Sequence, residues 1–124
     1  MANSKFGQIE DILREIEVTT RHIEASVVVS SQGLPICSAM PRGVDDGTVA
    51  AMTAAILSMG ERATIELARG SLNRILVEGE RGYFILTGAG KNAILAVLTK
   101  REANLGMVFL VMQRASDKIK GLLD

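Results

Sequence analysis

Apolar residues recur at three- and four-residue steps near the start of the chain: Phe6, Ile9, Leu13 and Ile16. This spacing predicts a helix from Ser4 to Thr20 that buries those four side chains, with Asn3 or Ser4 as its N-cap. Glu10, Asp11, Arg14, Glu15 and Glu17 then lie on its wet side. From Ile23 to Ser30 the pattern turns β-branched, with Val27, Val28 and Val29 ahead of the turn Ser31-Gln32-Gly33. Leu34 to Met40 follows as the second strand of a hairpin, and Pro35 suits a sheet edge. Pro41-Arg42-Gly43 breaks the chain before a long helix, about Asp45 to Arg69. Asp45 and Asp46 match the positive end of that helix, and Gly70 its stop.

Three more strands are predicted, Leu72 to Glu78, Tyr83 to Gly88 and Ala93 to Thr99, the first two joined by the tight connection Gly79-Glu80-Arg81-Gly82. A closing helix spans about Ala103 to Leu123. It buries Leu105, Phe109, Met112, Ala115, Ile119 and Leu122 and wets Asp117, Lys118 and Lys120. Hairpin connections dominate, so the fold class is α/β (α+β), in α-β-α layers. A five-stranded, mostly antiparallel sheet carries the central helix on one face and the N- and C-terminal helices on the other. Residues 1–124 read as one domain.

The central helix is the most informative segment. Val49, Met52, Ile56, Met59, Ala63 and Leu67 form one apolar stripe; Ala50, Ala54 and Leu57 form a second beside it, with small Ala51, Ala55 and Gly60 between. A helix apolar on most sides must be covered on most sides, and one sheet covers one face. Either the domain folds over the other or self-association about a twofold axis covers it; three helices and five strands leave few covering elements, and small side chains let two helices approach closely, so self-association is the expectation. Leu72 to Glu78 is an edge that can pair with its own counterpart.

Composition narrows the function. Fourteen basic residues balance fourteen acidic ones, so net charge leaves no footprint for nucleic acid or an anionic membrane. Aromatics are 3% with no Trp, which counts against base or sugar stacking and makes the core aliphatic. A single Cys37 fits a reducing cytosol. Met1 to Glu10 is polar and charged, unlike a signal peptide, and the uncharged runs between Asp46 and Glu61 and between Glu102 and Arg114 fall short of the ~20 residues that span a bilayer. A cytoplasmic location is expected.

No catalytic constellation emerges. Thr87-Gly88-Ala89-Gly90-Lys91-Asn92 has the look of a P-loop end, but Ile85 stands where that motif needs Gly and Asn92 where it needs Ser or Thr. The segment also leads into a strand, so it reads as a Gly-rich connection. His22 lacks companions at ligand spacing, and Cys37 lacks a base; metal, cofactor and nucleophile are all unexpected. Ser30 and Ser31 lie in a turn without a nucleophile context, and Asp45-Asp46 are helix-start charges. The six methionines fit adaptable packing.

The stretch Val27-Val28-Val29-Ser30-Ser31-Gln32-Gly33-Leu34-Pro35-Ile36 resembles the first hairpin of roadblock/dynein light-chain domains. Ala93-Ile94-Leu95-Ala96-Val97-Leu98, then Ala103-Asn104-Leu105-Gly106 and the closing helix, is similar to their last strand and helix. The element order matches along essentially the whole chain, and the stand-alone prokaryotic members are the nearest in form. The resemblance implies a five-stranded antiparallel sheet, dimers joined through the central helix and middle strand, and work as a regulator or scaffold of Ras-like GTPases. On that basis Ala55, Met59 and Arg62 of the helix and Leu72, Arg74 and Leu76 of the strand are expected to line a dimer interface. Arg62, Arg69, Arg74 and Arg81 are available at the surface, yet none has a context that makes it a catalytic finger.

Three functions follow. The favoured one is a homodimeric, non-catalytic regulator of a Ras-like small GTPase, in some members a GTPase-activating partner. The second is a structural scaffold subunit without GTPase regulation. The third is a small-molecule sensor, against which stands an aliphatic core without convergent buried polar groups.

Overall fold

The computed structural model describes residues 4–41 and 43–124; Asn3, the alternative cap, and Arg42 of the predicted break lie outside them. The elements run α1 (Lys5–Thr19), β1 (Ile23–Ser30), β2 (Pro35–Ala39), α2 (Asp46–Glu66), β3 (Arg74–Gly79), β4 (Gly82–Gly88), β5 (Ala93–Lys100) and α3 (Leu105–Leu123). The strands form one sheet in the order β2-β1-β5-β4-β3, with every neighbouring pair antiparallel. The expected α-β-α layering is therefore present.

The sheet separates two cores. Because successive strand residues point to opposite faces, Val28, Ile85, Leu95 and Val97 pack with Ile9, Leu13 and Ile16 of α1 and Val108, Met112, Ala115 and Ile119 of α3. Val27, Val29, Leu86, Ile94 and Ala96 point the other way, to Ala50, Val49, Ile56 and Leu57 of α2. β1 and β5 lie in the middle and are buried on both faces, which is why they read as nearly unbroken apolar runs. Pro35 is on the edge strand as expected, where the pairing of β1 with β2 shifts register between Val28 and Val29.

Side-chain caps start each helix. Ser4 Oγ accepts the Gly7 N–H at 3.1 Å. Asp45 accepts the Gly47 N–H at 3.0 Å and the Thr48 hydroxyl at 2.8 Å. Asn104 Oδ1 accepts the Met107 N–H at 3.1 Å, which gives the Ala-Asn-Leu-Gly stretch its physical meaning. α1 buries Ile9, Leu13 and Ile16 but leaves Phe6 54% exposed in its first turn, beside the edge strand. α3 buries Val108 and Ser116 as well, while Leu105, Phe109 and Leu122 are half-buried.

The end of α2 differs from expectation. The helix stops at Glu66, and Ala68, with φ +57°, carries the left-handed turn that ends it; Gly70 is left-handed too, at φ +87°, but lies two residues further on. The Arg69 N–H reaches the Thr64 carbonyl at 2.7 Å and the Ala68 N–H the Ile65 carbonyl at 3.1 Å, a Schellman closure. Gly60 lets α2 approach β3: a Cβ there would lie 2.6 Å from Ile75 Cδ1. Gly82, at the start of β4, has no room for any side chain, since a Cβ would fall 1.9 Å from the Thr99 carbonyl oxygen.

Candidate interaction surface

α2 seats Ala50 and Thr53 on the sheet, with Ala54, Ile56, Leu57 and Gly60 half-buried around them. The second of the two sequence stripes thus faces the sheet, while the first divides: Val49 and Ile56 turn inward, and Met52, Met59, Ala63 and Leu67 stay in water. Met52 is 55% and Met59 63% exposed, with Ala51, Ala55 and Ser58 beside them. This outer face carries no charge until Glu61 and Arg62, where an Arg62–Glu66 ion pair at 3.2 Å closes it.

β3 is an edge strand. Its inward-facing Ile75 packs with the α2 core, and Leu72, just before the strand, also reaches Gly60. By alternation, Arg74 and Leu76 project on the opposite face, where the Arg74 guanidinium lies over the Phe109 ring of α3. Of the residues expected at an interface, Ala55, Met59 and Arg62 share the outer side of α2 and Leu72 lies toward that helix. Arg74 and Leu76 lie across the sheet from them, joined to the group through the strand edge itself. Met52 and Ala51 belong to the same exposed surface; their spacing of three and four from Ala55 is the signal that places them there. Val77, 41% exposed beside Ile75, extends it along the edge.

An open groove of ≈ 710 Å³ runs between the end of α2, the loop into β3 and the β4–β5 connection. Leu57, Leu72, Leu86 and Ile94 line it, with Glu61, Lys91 and Asn92 among its polar residues.

The sequence's candidate chemical residues have structural duties. Gly88 to Asn92 is a hairpin connection, in which the Ala89 N–H donates to the Ala93 carbonyl at 2.9 Å and the Lys91 N–H to the Asp124 carboxylate at 3.3 Å. His22 turns the chain from α1 into β1 with φ +74°, and its carbonyl accepts the Lys100 N–H at 2.8 Å. Ser30 Oγ accepts the Leu34 N–H at 3.1 Å across the first hairpin. Burial, and secondarily the charge of Glu10, pushes the Cys37 thiol above its ordinary pKa, which disfavours the nucleophilic thiolate. Asp46 accepts the Ser38 hydroxyl at 3.2 Å. Among the described residues no three His, Cys, Asp or Glu side chains converge as metal ligands, and no helix is long and apolar enough to cross a membrane.

Fold and surface define a small α-β-α domain whose exposed features are an uncharged helix face and a free strand edge. The chain belongs to the Roadblock/LC7 domain family, which matches residues 9–99. An uncharacterised protein of Methanocaldococcus jannaschii is 40% identical over 114 residues, covering 92% of this chain and 98% of that protein. A second from the same organism is 39% identical with the same coverage. Among solved structures, an MglB with a tetrameric arrangement shares the fold at a TM-score of 0.89 and 18% identity, covering 98% of this chain and 92% of that one.

Proposed function

We propose that this chain is a cytoplasmic homodimer that regulates or scaffolds a Ras-like small GTPase and performs no chemistry itself. The observation that carries this reading is the uncovered, uncharged outer face of α2 beside the free edge of β3. Each is costly to leave in water or open to chance pairing, and a second copy covers both at once. Ala55, Met59 and Arg62, with Leu72, Arg74 and Leu76, form the contact. Membership of the Roadblock/LC7 family supports the GTPase as the partner class, and the tetrameric arrangement of the MglB neighbour supports self-association.

A scaffold that ignores nucleotide state is the second reading, favoured by the same surface. A sensor would use the groove. Among the described residues every buried side-chain nitrogen or oxygen has a hydrogen-bond partner, so no buried polar group supports the sensor reading. Light scattering on the protein alone, then with candidate small GTPases loaded with GTP or GDP, separates the readings. A dimer that binds the GTP-loaded form alone supports regulation. A dimer that binds irrespective of nucleotide supports the scaffold, and a monomer at all concentrations removes the dimer.

A further inference from the structure

The two-residue turn Glu80-Arg81 makes Gly79 and Gly82 a directly hydrogen-bonded pair at the end of the β3–β4 ladder. Bonding alternates from there. Ile75, Val77 and Gly79 spend their N–H and C=O groups on Leu86, Phe84 and Gly82, while those of Arg74, Leu76 and Glu78 point to the free edge. The edge therefore offers a row of unpaired main-chain groups spaced along Arg74-Ile75-Leu76-Val77-Glu78.

Read as an antiparallel partner of itself, that sequence is self-complementary about Leu76. A twofold axis there sets Leu76 against Leu76, Ile75 against Val77 and Arg74 against Glu78. Sliding the axis one residue toward the turn puts Leu76 opposite Glu78; sliding it one residue the other way puts Arg74 opposite Leu76. Both alternatives set a charge against an aliphatic side chain and strand the complementary charge. The Leu76 register alone matches apolar with apolar and base with acid, and it makes roughly six main-chain hydrogen bonds.

The surroundings hold both charges ready. Arg74 lies over the Phe109 ring, 4.0 Å from its centroid, and meets no carboxylate among the described residues. Glu78 already meets Arg101 at 3.5 Å, and both are about half exposed, so its second oxygen remains open to another cation.

We propose that, within a dimer joined through β3, the two copies set their register about Leu76 and Arg74 of one protomer meets the partner's Glu78, which restricts pairing to chains with a base at the first position and an acid at the second. The proposal rests on the dimer reading and adds the register and the rule of partner choice. Such a rule has work to do wherever one organism holds several chains of this kind, as with the three M. jannaschii relatives. Like charges set against each other at both ends of the strand reject the wrong partner more strongly than the matched pairs attract the right one.

Charge reversal tests it. In Arg74→Glu, two acids face two acids; in Glu78→Arg, two bases face two bases. Each variant alone should dimerise at least roughly tenfold more weakly than wild type in sedimentation equilibrium. An equimolar mixture of the two should recover a heterodimer, seen by native mass spectrometry, because every cross-strand pair is again matched. The double variant Arg74→Glu/Glu78→Arg should recover a homodimer. Since Arg74 also contacts Phe109, a second test leaves it alone: Leu76→Cys in a Cys37→Ser background should cross-link to itself on mild oxidation. Glu78→Cys in that background should not, as its copies would lie about 13 Å apart. A wild-type dimer with unaffected reversal variants, or with self-linking at position 78 and none at 76, overturns the register and leaves the dimer standing. A wild-type monomer overturns both.

Discussion

The guanidinium carbon of Arg74 lies 4.0 Å from the centre of the Phe109 ring, so the edge strand and the last helix are joined by a cation–π contact at the border of the sheet. At an exposed site such a contact is worth about 0.5–1 kcal/mol. A double-mutant cycle of Arg74→Gln and Phe109→Leu, measured by denaturant unfolding at one fixed protein concentration, should give a coupling energy in that range. Purely additive effects would show that the ring merely packs against the arginine stem.

Met59 projects from the middle of the uncharged face of α2, where a dimer would desolvate it. Met59→Asp should weaken self-association by roughly tenfold or more, because burying an unpaired carboxylate is costly. The side chain is 63% exposed in the single chain, so circular dichroism should show an unchanged fold. A dimer of unaltered mass at low micromolar concentration would remove α2 from the interface.

Ala68 occupies the position of the Schellman turn that favours glycine, at φ +57°. Ala68→Gly removes the Cβ strain at the cost of greater freedom in the unfolded chain, and should stabilise the domain by about 0.5–1 kcal/mol. A lower melting temperature would contradict this account of the helix stop.

Two carboxylates pull the pH dependence in opposite directions. The Thr48 hydroxyl and then the Gly47 N–H hold Asp45 below its ordinary pKa, so its contribution is present above the unfolded value and is lost as pH falls through the folded one. Burial raises Glu17 above its ordinary pKa, and the Ser26 hydroxyl, donating at 2.6 Å, only partly offsets this. Its contribution is complete below the unfolded value and is lost as pH rises through the raised one. Asp45→Asn should therefore lower the melting temperature at pH 7, with the deficit shrinking as the acid range is entered. Glu17→Gln should raise it at pH 7 and have little effect at pH 3. Two variants with flat, parallel profiles would contradict both assignments.

Much of the fold was legible in the residues themselves. β1 is placed as its pattern predicts, and β5 extends one residue past the predicted Thr99. Valines and alternating aliphatics can only be buried in the middle of a sheet, and Pro35 can only be tolerated at its edge. Asn104, Ser4 and Asp45 are caps because their short oxygens reach main-chain N–H groups two or three residues on. At the end of α2, glycine propensity points to Gly70, which is left-handed at φ +87°, while the local Schellman bonds place the helix-ending turn two residues earlier, at Ala68.

The sequence by itself determined the order of elements, the two hairpins and the fact that α2 has more apolar surface than one sheet can cover. Only the tertiary structure decided which side of α2 that surplus is. A helix rich in alanine and apolar nearly all round has no strong periodicity to orient it; the choice falls to the small contacts of Ala50, Ala54 and Gly60 with the sheet, which turn Met52 and Met59 outward. The faces of β3 were settled in the same way. Strand alternation fixes that Arg74 and Leu76 share a side, but it takes the contacts of Ile75 with α2 and of Arg74 with Phe109 to say which side that is.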